Sequence, residues 1–183
     1  TVQEFQQLMR TEEEQTVDVN QAVCLAEAQV RPLAEKARVK LHLELAPDLP
    51  RAEGSGIRLQ QVFINLMLNA IQHIESKPAR RGTACRGTAG RRALTVTTTC
   101  RGTACADAPR RRVQIRFADT GPGIHRQLDE KIFALGFTTR AGGSGLGLYI
   151  ARSLVESMNG QIGVEDSVVP IGSTFLVSLW ARS

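Results

Sequence analysis

The sequence predicts a single α/β domain, and three stretches carry that expectation. Val39 to Leu45 alternates strictly between apolar and polar residues, the pattern of a half-buried strand. From Ser55 to about Ser76, the residues Ile57, Leu59, Val62, Phe63, Leu66, Met67, Ala70, Ile71 and Ile74 form a broad stripe at helical spacing. Gly142 to Gly147 is a glycine-dense turn that runs without a break into a second amphipathic segment carrying Leu148, Ile150, Ala151, Leu154, Val155 and Met158. A chain of 183 residues, 42% of them hydrophobic, is long enough to bury one core.

In chain order, residues 1–15 put Val2, Phe5, Leu8 and Met9 on one face and end in three glutamates, as the last turns of a longer helix packing on a partner helix would. Because Thr1 opens in mid-helix without a Met, the chain is expected to be a piece of a longer protein. Thr16 to Val19 reads as a short strand, and Asn20 as the N-cap of a helix burying Val23, Leu25, Ala26, Val30 and Leu33, with Pro32 as a kink or late break. His42 lies on the polar face of the Val39–Leu45 strand and is expected in solvent. Ala93 to Thr99 and Arg112 to Phe117 read as the strands of a hairpin with an arginine-rich loop at 100–111, joined to the long helix by a linker at 77–91. Gly160 is the expected C-cap of the last helix, and Gln161–Glu165 and Gly172–Leu179 close the domain as strands, the latter with Phe175, Val177 and Leu179 inward.

Composition narrows the function classes. The formal net charge of +5 is concentrated: residues 76–112 hold nine Arg and one Lys against Asp107 alone, leaving 13 basic and 17 acidic residues elsewhere. The basic balance thus belongs to one segment and argues against a nucleic-acid binder, as does an aromatic content of 4%. Within that segment Arg81–Cys85, Arg86–Ala89 and Arg101–Cys105 are near-copies of one low-complexity unit; its arginines are either simply solvated or turned to an acidic partner or anionic lipid heads. No apolar run approaches the roughly 20 residues that span a bilayer, and no signal peptide opens the chain. The cysteines at 24, 85, 100 and 105 show no metal-binding spacing and are expected as reduced thiols of a cytoplasmic protein.

Four groups of residues bear chemistry. Gly142, Gly143, Gly145 and Gly147 bring backbone N–H groups and the positive end of a helix dipole to an anion, phosphate foremost. The pattern is neither a P-loop, since Leu148 stands where its Lys would be, nor a strand-led dinucleotide turn. Asn65 and Asn69, at i and i+4, interrupt the long helix on one face, and a carboxamide oxygen suits Mg²⁺. Gly121 and Gly123 permit a tight turn in which Asp119 can accept a hydrogen bond from the exocyclic amine of adenine. Thr138, Thr139 and Arg140, preceded by the apolar anchors of Lys131–Phe137, suit a terminal phosphate.

In that order, Asn65–His73, Asp119–Gly123, Ile132–Thr139 and Gly143–Leu148 resemble the N, first glycine, F and second glycine boxes of the catalytic ATP-binding domain of sensor histidine kinases. That domain belongs to the Bergerat-fold family shared with gyrase-type ATPases, Hsp90 chaperones and MutL proteins. The resemblance covers about residues 16–180; residues 1–15 resemble the end of the dimerisation helix that precedes the domain, leaving 16–183 as the kinase domain with an atypical insertion at about 77–111. It implies an α/β two-layer sandwich, a mixed five-stranded sheet covered on one face by three helices. ATP and Mg²⁺ would be the cofactors, with Asn69 the metal ligand and Asn65 beside the phosphates. Asp119 would bind adenine, Gly121 and Gly123 would shape its pocket together with Ile124 and His73, and Thr174 would reach the base through water. The lid at 136–145, with Phe137, Thr138, Thr139, Arg140, Gly143, Ser144, Gly145, Leu146, Gly147 and Leu148, would hold the phosphates, Asn65, Asn69 and Arg140 forming the catalytic set.

In the ATP-hydrolysing relatives a Glu occupies the position of Asn65 and activates water; Asn cannot take a proton, which suits transfer to a histidine. Gln72 stands where many of these kinases carry a phosphate-contacting Lys, and Arg140 is the substitute charge. The short lid echoes the nitrogen-regulator type. None of His42, His73 or His125 lies in a phosphoacceptor motif, so the acceptor is expected on a dimerisation domain outside this chain. The implied partners are that domain, a response-regulator receiver domain and, in the parent, a second copy; this piece by itself is expected to be monomeric, and any membrane contact would come through upstream segments. A serine kinase of the anti-sigma type and a non-catalytic nucleotide sensor share the same boxes and remain open.

Overall fold

The computed structural model describes residues 16–76, 92–102, 111–138, 143–169 and 171–182. The expected helical stump at 1–15, the linker at 77–91, residues 103–110 of the arginine-rich loop, and Thr139, Arg140 and Gly142 lie outside the described residues. Along the chain run β1 (Thr16–Val17), α1 (Val19–Lys36), β2 (Lys40–Glu44), β3 (Ala52–Glu53), α2 (Gly56–Ser76), β4 (Ala93–Gly102), β5 (Arg111–Asp119), α3 (Gly147–Ser157), β6 (Gln161–Val168) and β7 (Gly172–Trp180), with 3₁₀ turns at Arg126–Leu128 and Lys131–Phe133.

The expected architecture is present. Five strands form one sheet in the order β2-β4-β5-β7-β6, with β2 parallel to β4 and the other pairs antiparallel. The three helices lie on one face. Strand alternation turns Leu94, Val96, Val113, Ile115, Phe117, Phe175, Val177 and Leu179 toward them, all fully buried. The central helix α2 packs on both α1 and α3 and sends Phe63 onto Phe117, ring centroids 5.4 Å apart. Its stripe is as expected except at Ile57, 70% exposed in the first turn, before the helix reaches the sheet.

Several local expectations are corrected. The first strand ends at Val17, and Asp18, not Asn20, caps α1: its backbone is extended and Oδ1 accepts from the Gln21 N–H at 2.9 Å. Asn20 is instead a strut; its Nδ2 donates to the Ala46 carbonyl and its Oδ1 accepts from the Thr98 hydroxyl, tying α1 to the β2 exit and to β4. Leu25 and Leu33 are half exposed, because the small residues Ala22, Ala26 and Ala34 form the stripe that meets its neighbours. Pro32 does not end α1 at that point: it sits on the exposed side and the helix runs on to Lys36. At the end of α3, Asn159 takes the left-handed position (φ +55°) assigned to Gly160. Gly160 is needed for another reason: a Cβ there would come within 2.6 Å of Leu179 and 2.9 Å of Val155. The hairpin also extends further than expected, pairing as far as Gly102 with Arg111.

Candidate functional site

The N-terminal end of α3, the flank of α2 and the loop after β5 enclose a cavity of about 510 Å³, within the usual range for a small-molecule site. On α2 the spacing of Asn65, Leu68, Asn69, Gln72, His73 and Ser76 places one face of the helix along its wall. The opposite wall is Pro122, Gly123, Ile124 and His125 with Leu128 and Ile132 of the 3₁₀ turns; Phe137, Thr138, Gly143, Ser144, Gly145, Gly147 and Leu148 form the rim, and Phe175 of β7 contributes from the sheet. The cavity therefore joins an apolar end to an end made of amides, hydroxyls and glycine backbone. Among the described residues, no carboxylate lines it.

The glycine-rich end is organised by backbone constraints. Gly145 has φ +65°, and a Cβ there would overlap the carbonyl carbon of Gly136 and lie 2.7 Å from the Phe137 oxygen. Only glycine lets the two loop segments meet this closely. Leu146 occupies the N-cap position of α3 and no side chain caps it; the first intrahelical bond is that of the Ile150 N–H to the Leu146 oxygen. The N–H groups of the first turn and the positive dipole end consequently point toward the cavity mouth. Asn65 joins the two helices: Nδ2 donates to the Gly147 oxygen at 3.2 Å while Oδ1 accepts from Gln61. One turn on, the Asn69 Nδ2 is buried with no hydrogen-bond partner. A buried amide in that condition costs stability unless a ligand completes it, and because a carboxamide keeps its shape on a half turn, it can present Oδ1 in the same place. That donor suits Mg²⁺, which needs only one or two protein oxygens. Among the described residues no cluster of three or more His, Cys, Asp or Glu side chains could hold a metal without such a ligand.

At the apolar end Asp119 is 7% exposed and does not itself line the cavity. Its Oδ1 accepts from the Gly121 N–H at 2.7 Å and its Oδ2 from the Ser173 hydroxyl at 2.5 Å. Burial pushes its carboxyl above the usual range, partly offset by the Ser173 and Gly121 hydrogen bonds and by His73. Gly121 is forced by this arrangement, since a Cβ would lie 2.6 Å from Asp119 Oδ1. Gly123, at φ +78°, passes so close to β6 that a Cβ would meet the Val168 oxygen at 2.8 Å. Behind this wall Arg152 of α3 pairs with Glu130 and Glu156 and lies over Phe133, whose ring meets Phe175 edge-on.

Among the expected site residues, Asn65, Asn69, His73, Gly123, Ile124, Phe137, Thr138, Gly143, Ser144, Gly145, Gly147 and Leu148 line one cavity. Gly121 lies behind it with Asp119, and Leu146 is turned outward, 41% exposed. Thr174 belongs to the opposite face of the sheet, because alternation along β7 turns Ser173 and Phe175 inward and Thr174 outward. The hydroxyl beside Asp119 is therefore that of Ser173, one residue earlier. His125, Ser76 and Leu68 also line the cavity and are not among the expected site residues; the i+3/i+4 spacing from Asn65 points to the last two.

The family model described as histidine kinase-, DNA gyrase B-, and HSP90-like ATPase matches residues 54–183. The chain is 36% identical over 140 residues to the C4-dicarboxylate transport sensor protein DctB of Rhizobium meliloti, covering 76% of this chain and 19% of that protein. It is 32% identical over 166 residues to the sensor histidine kinase ZraS of Escherichia coli, covering 91% of this chain and 30% of that one. It thus spans less than a third of the length of either relative. The mycobacterial sensor histidine kinase MprB superposes with a TM-score of 0.69 at 21% identity, over 91% of this chain and 97% of that structure, a likeness of fold.

Proposed function

Since the chain belongs to the histidine kinase-, DNA gyrase B-, and HSP90-like ATPase family, whose common ligand is ATP, we propose that it is the ATP-binding catalytic domain of a sensor histidine kinase. It delivers the γ-phosphate of ATP to a histidine on a dimerisation domain outside this chain, for relay to a response regulator. The observation that carries this reading is the amide character of the phosphate end: Asn65 and Asn69 stand beside the start of α3, and no carboxylate lines the cavity among the described residues. Such a site can position a triphosphate and neutralise its charge, but it offers no carboxylate base to a water molecule. The nucleophile is then the acceptor imidazole itself, whose nitrogen forms the new N–P bond as the bond to the β-phosphate oxygen breaks and ADP leaves.

In this reading Asp119 accepts from the adenine amine through Oδ2, beside the Ser173 hydroxyl, while the Gly121 N–H holds Oδ1 and Gly121, Gly123 and Ile124 shape the slot. Asn69 holds Mg²⁺, which supplies charge neutralisation across the phosphates. The N–H groups of Gly145, Gly147 and Leu148 meet the phosphate oxygens, with Thr138, Thr139 and Arg140 completing the lid. The parent is a homodimer, and the domain works on the cytoplasmic side.

The test is incubation of the purified chain with γ-labelled ATP and the dimerisation domain of its parent. Acid-labile, base-stable label on that domain is expected. Acid-stable label would make the chain a serine kinase, and ATP binding without transfer would make it a sensor of nucleotide.

A further inference from the structure

The face of the sheet that carries no helix has a second concentration of chemistry, roughly 24 Å from Asp119 along β5 at about 3.4 Å per residue. One row of directly opposed residues there reads Arg101, Arg112 and Trp180, on β4, β5 and β7. The Arg112 guanidinium lies 3.9 Å from the centroid of the Trp180 ring, and its Nη1 donates to Gln161 Oε1 at 2.8 Å and to Ser178 Oγ at 3.4 Å. Stacking and two acceptors thus fix the group in place, while its Nε and Nη2 have no acceptor among the described residues.

Arg101, exposed, stands directly across the strand pair from Arg112. Like charges so placed oppose sheet pairing. Glu165 does not relieve them: Arg116 takes its two oxygens at 2.6 and 2.8 Å and holds its carboxyl below the usual range, with Arg101 only a lesser influence. Arg182, exposed and two residues beyond Trp180, adds to the positive end, while alternation along β5 turns Arg111 to the other face. Thr99 and Gln114, the next opposed pair on this face, flank the row with neutral polar side chains. Tryptophan and arginine are the residue types on which protein interfaces most often anchor, and a polar rim is what surrounds such anchors.

We infer that this end of the open sheet face docks an acidic segment of another polypeptide, whose carboxylates bridge Arg101 and Arg112 beside Trp180. A bridging carboxylate removes the Arg–Arg opposition and finds the planar fork of Arg112 already oriented. A nucleic-acid strand fits less well, because successive bases need several aromatic platforms and this face offers one.

Trp180 is the sole tryptophan of the chain, so its emission reports the site directly. The chain is titrated, at about 0.15 M salt to screen long-range attraction, with a Glu/Asp-rich peptide, a single-stranded oligonucleotide of equal charge, and phosphatidylserine vesicles, read by Trp180 emission and by calorimetry. Saturable binding of the peptide is expected, weakened about tenfold in Arg112→Gln and in Arg101→Gln, unchanged in Lys36→Gln, and with ATP affinity unaltered in all three. The inference is overturned if the oligonucleotide or the vesicles bind more tightly than the peptide, if peptide binding is insensitive to Arg112→Gln, or if the peptide gives no heat of binding.

Discussion

Asp119→Asn separates the cost of the site from its use. The side chain is 7% exposed and both carboxylate oxygens are occupied, one by the Gly121 N–H and one by the Ser173 hydroxyl. The Gly121 N–H can only donate, so in the variant the single remaining acceptor must stay with Gly121, and the new NH₂ takes the place of Oδ2. Ser173 can rotate its hydroxyl to accept from that NH₂, which preserves the fold. The folded-state pKa of Asp119 is raised, chiefly by burial. A raised carboxyl contributes stability that is fully present below its unfolded pKa and is lost as pH rises through the folded value, so at neutral pH the ionised group is a burden. The Asp119→Asn variant should therefore melt no lower than wild type at pH 7, and the difference should shrink or reverse in acid. Nucleotide binding should behave oppositely. A charge-assisted hydrogen bond to the adenine amine is lost and a donor faces a donor, together about 3 kcal/mol or about 150-fold in Kd. Calorimetry with ATP and ITP provides the check, since the carbonyl of hypoxanthine should accept from the new NH₂ and recover part of the loss. An ATP affinity within threefold of wild type, in a folded variant, would refute the adenine assignment.

Other substitutions test the remaining parts. Asn69→Ala should weaken ATP binding about tenfold or more in Mg²⁺ and change it little in EDTA, measured by competition with a fluorescent nucleotide; equal losses in both would sink the metal role. Ser173→Ala should lower ATP affinity by about threefold to tenfold, by leaving Asp119 Oδ2 without its hydroxyl, whereas Thr174→Val should leave affinity unchanged; the reverse order would mean that β7 is out of register. Gly145→Ala places a Cβ against the Gly136 carbonyl at a left-handed φ and should reduce phosphate-dependent affinity, seen as a smaller ATP-over-adenosine preference, while far-UV circular dichroism stays unchanged.

The parts of the fold that were legible from sequence are those set by periodicity. The stripe of α2 beyond Ile57 and the inward set Phe175, Val177 and Leu179 each follow from one element facing one core, and both stand; the alternation of β2 holds only in part, with Leu43 36% exposed. Asn65 and Asn69 were visible as polar residues breaking an apolar helix at i and i+4. The failures share a different cause: they required knowing which neighbour an element meets. Thr174 and Ser173 are both hydroxyl residues in the last strand, and only its register against Asp119 decides between them. Leu25 and Leu33 are as apolar as Val23 and Val30, but the approach of the neighbouring elements selects alanines over leucines on α1. Asn20 has cap chemistry and spends it on a long-range strut, because Asp18 two residues earlier already serves the helix. Gly160 has the sequence position of a conformational glycine but is a packing glycine, a distinction set by Leu179 on another element.

The same residues show why binding and folding should be coupled here. Asn69 buries an NH₂ without a partner, α3 begins without a side-chain cap, and Asp119 is held at a pKa unfavourable to its charge. Each is a defect by the standards of a core, of order 1 kcal/mol or more for a buried amide or a missing cap. They share one neighbourhood, and in the proposed reading each would be relieved by a different portion of one ligand: metal, phosphate, base. Nucleotide should therefore stabilise the chain by RT ln(1 + [L]/Kd), about 2.7 kcal/mol at a hundredfold excess over Kd. Omission should then be graded. Adenosine should recover only the Asp119 portion of the shift in melting temperature, ATP in EDTA should add the α3 portion, and Mg²⁺ with ATP the whole. A shift as large with adenosine as with Mg²⁺ and ATP would mean that the amide and glycine end of the cavity does not bind phosphate.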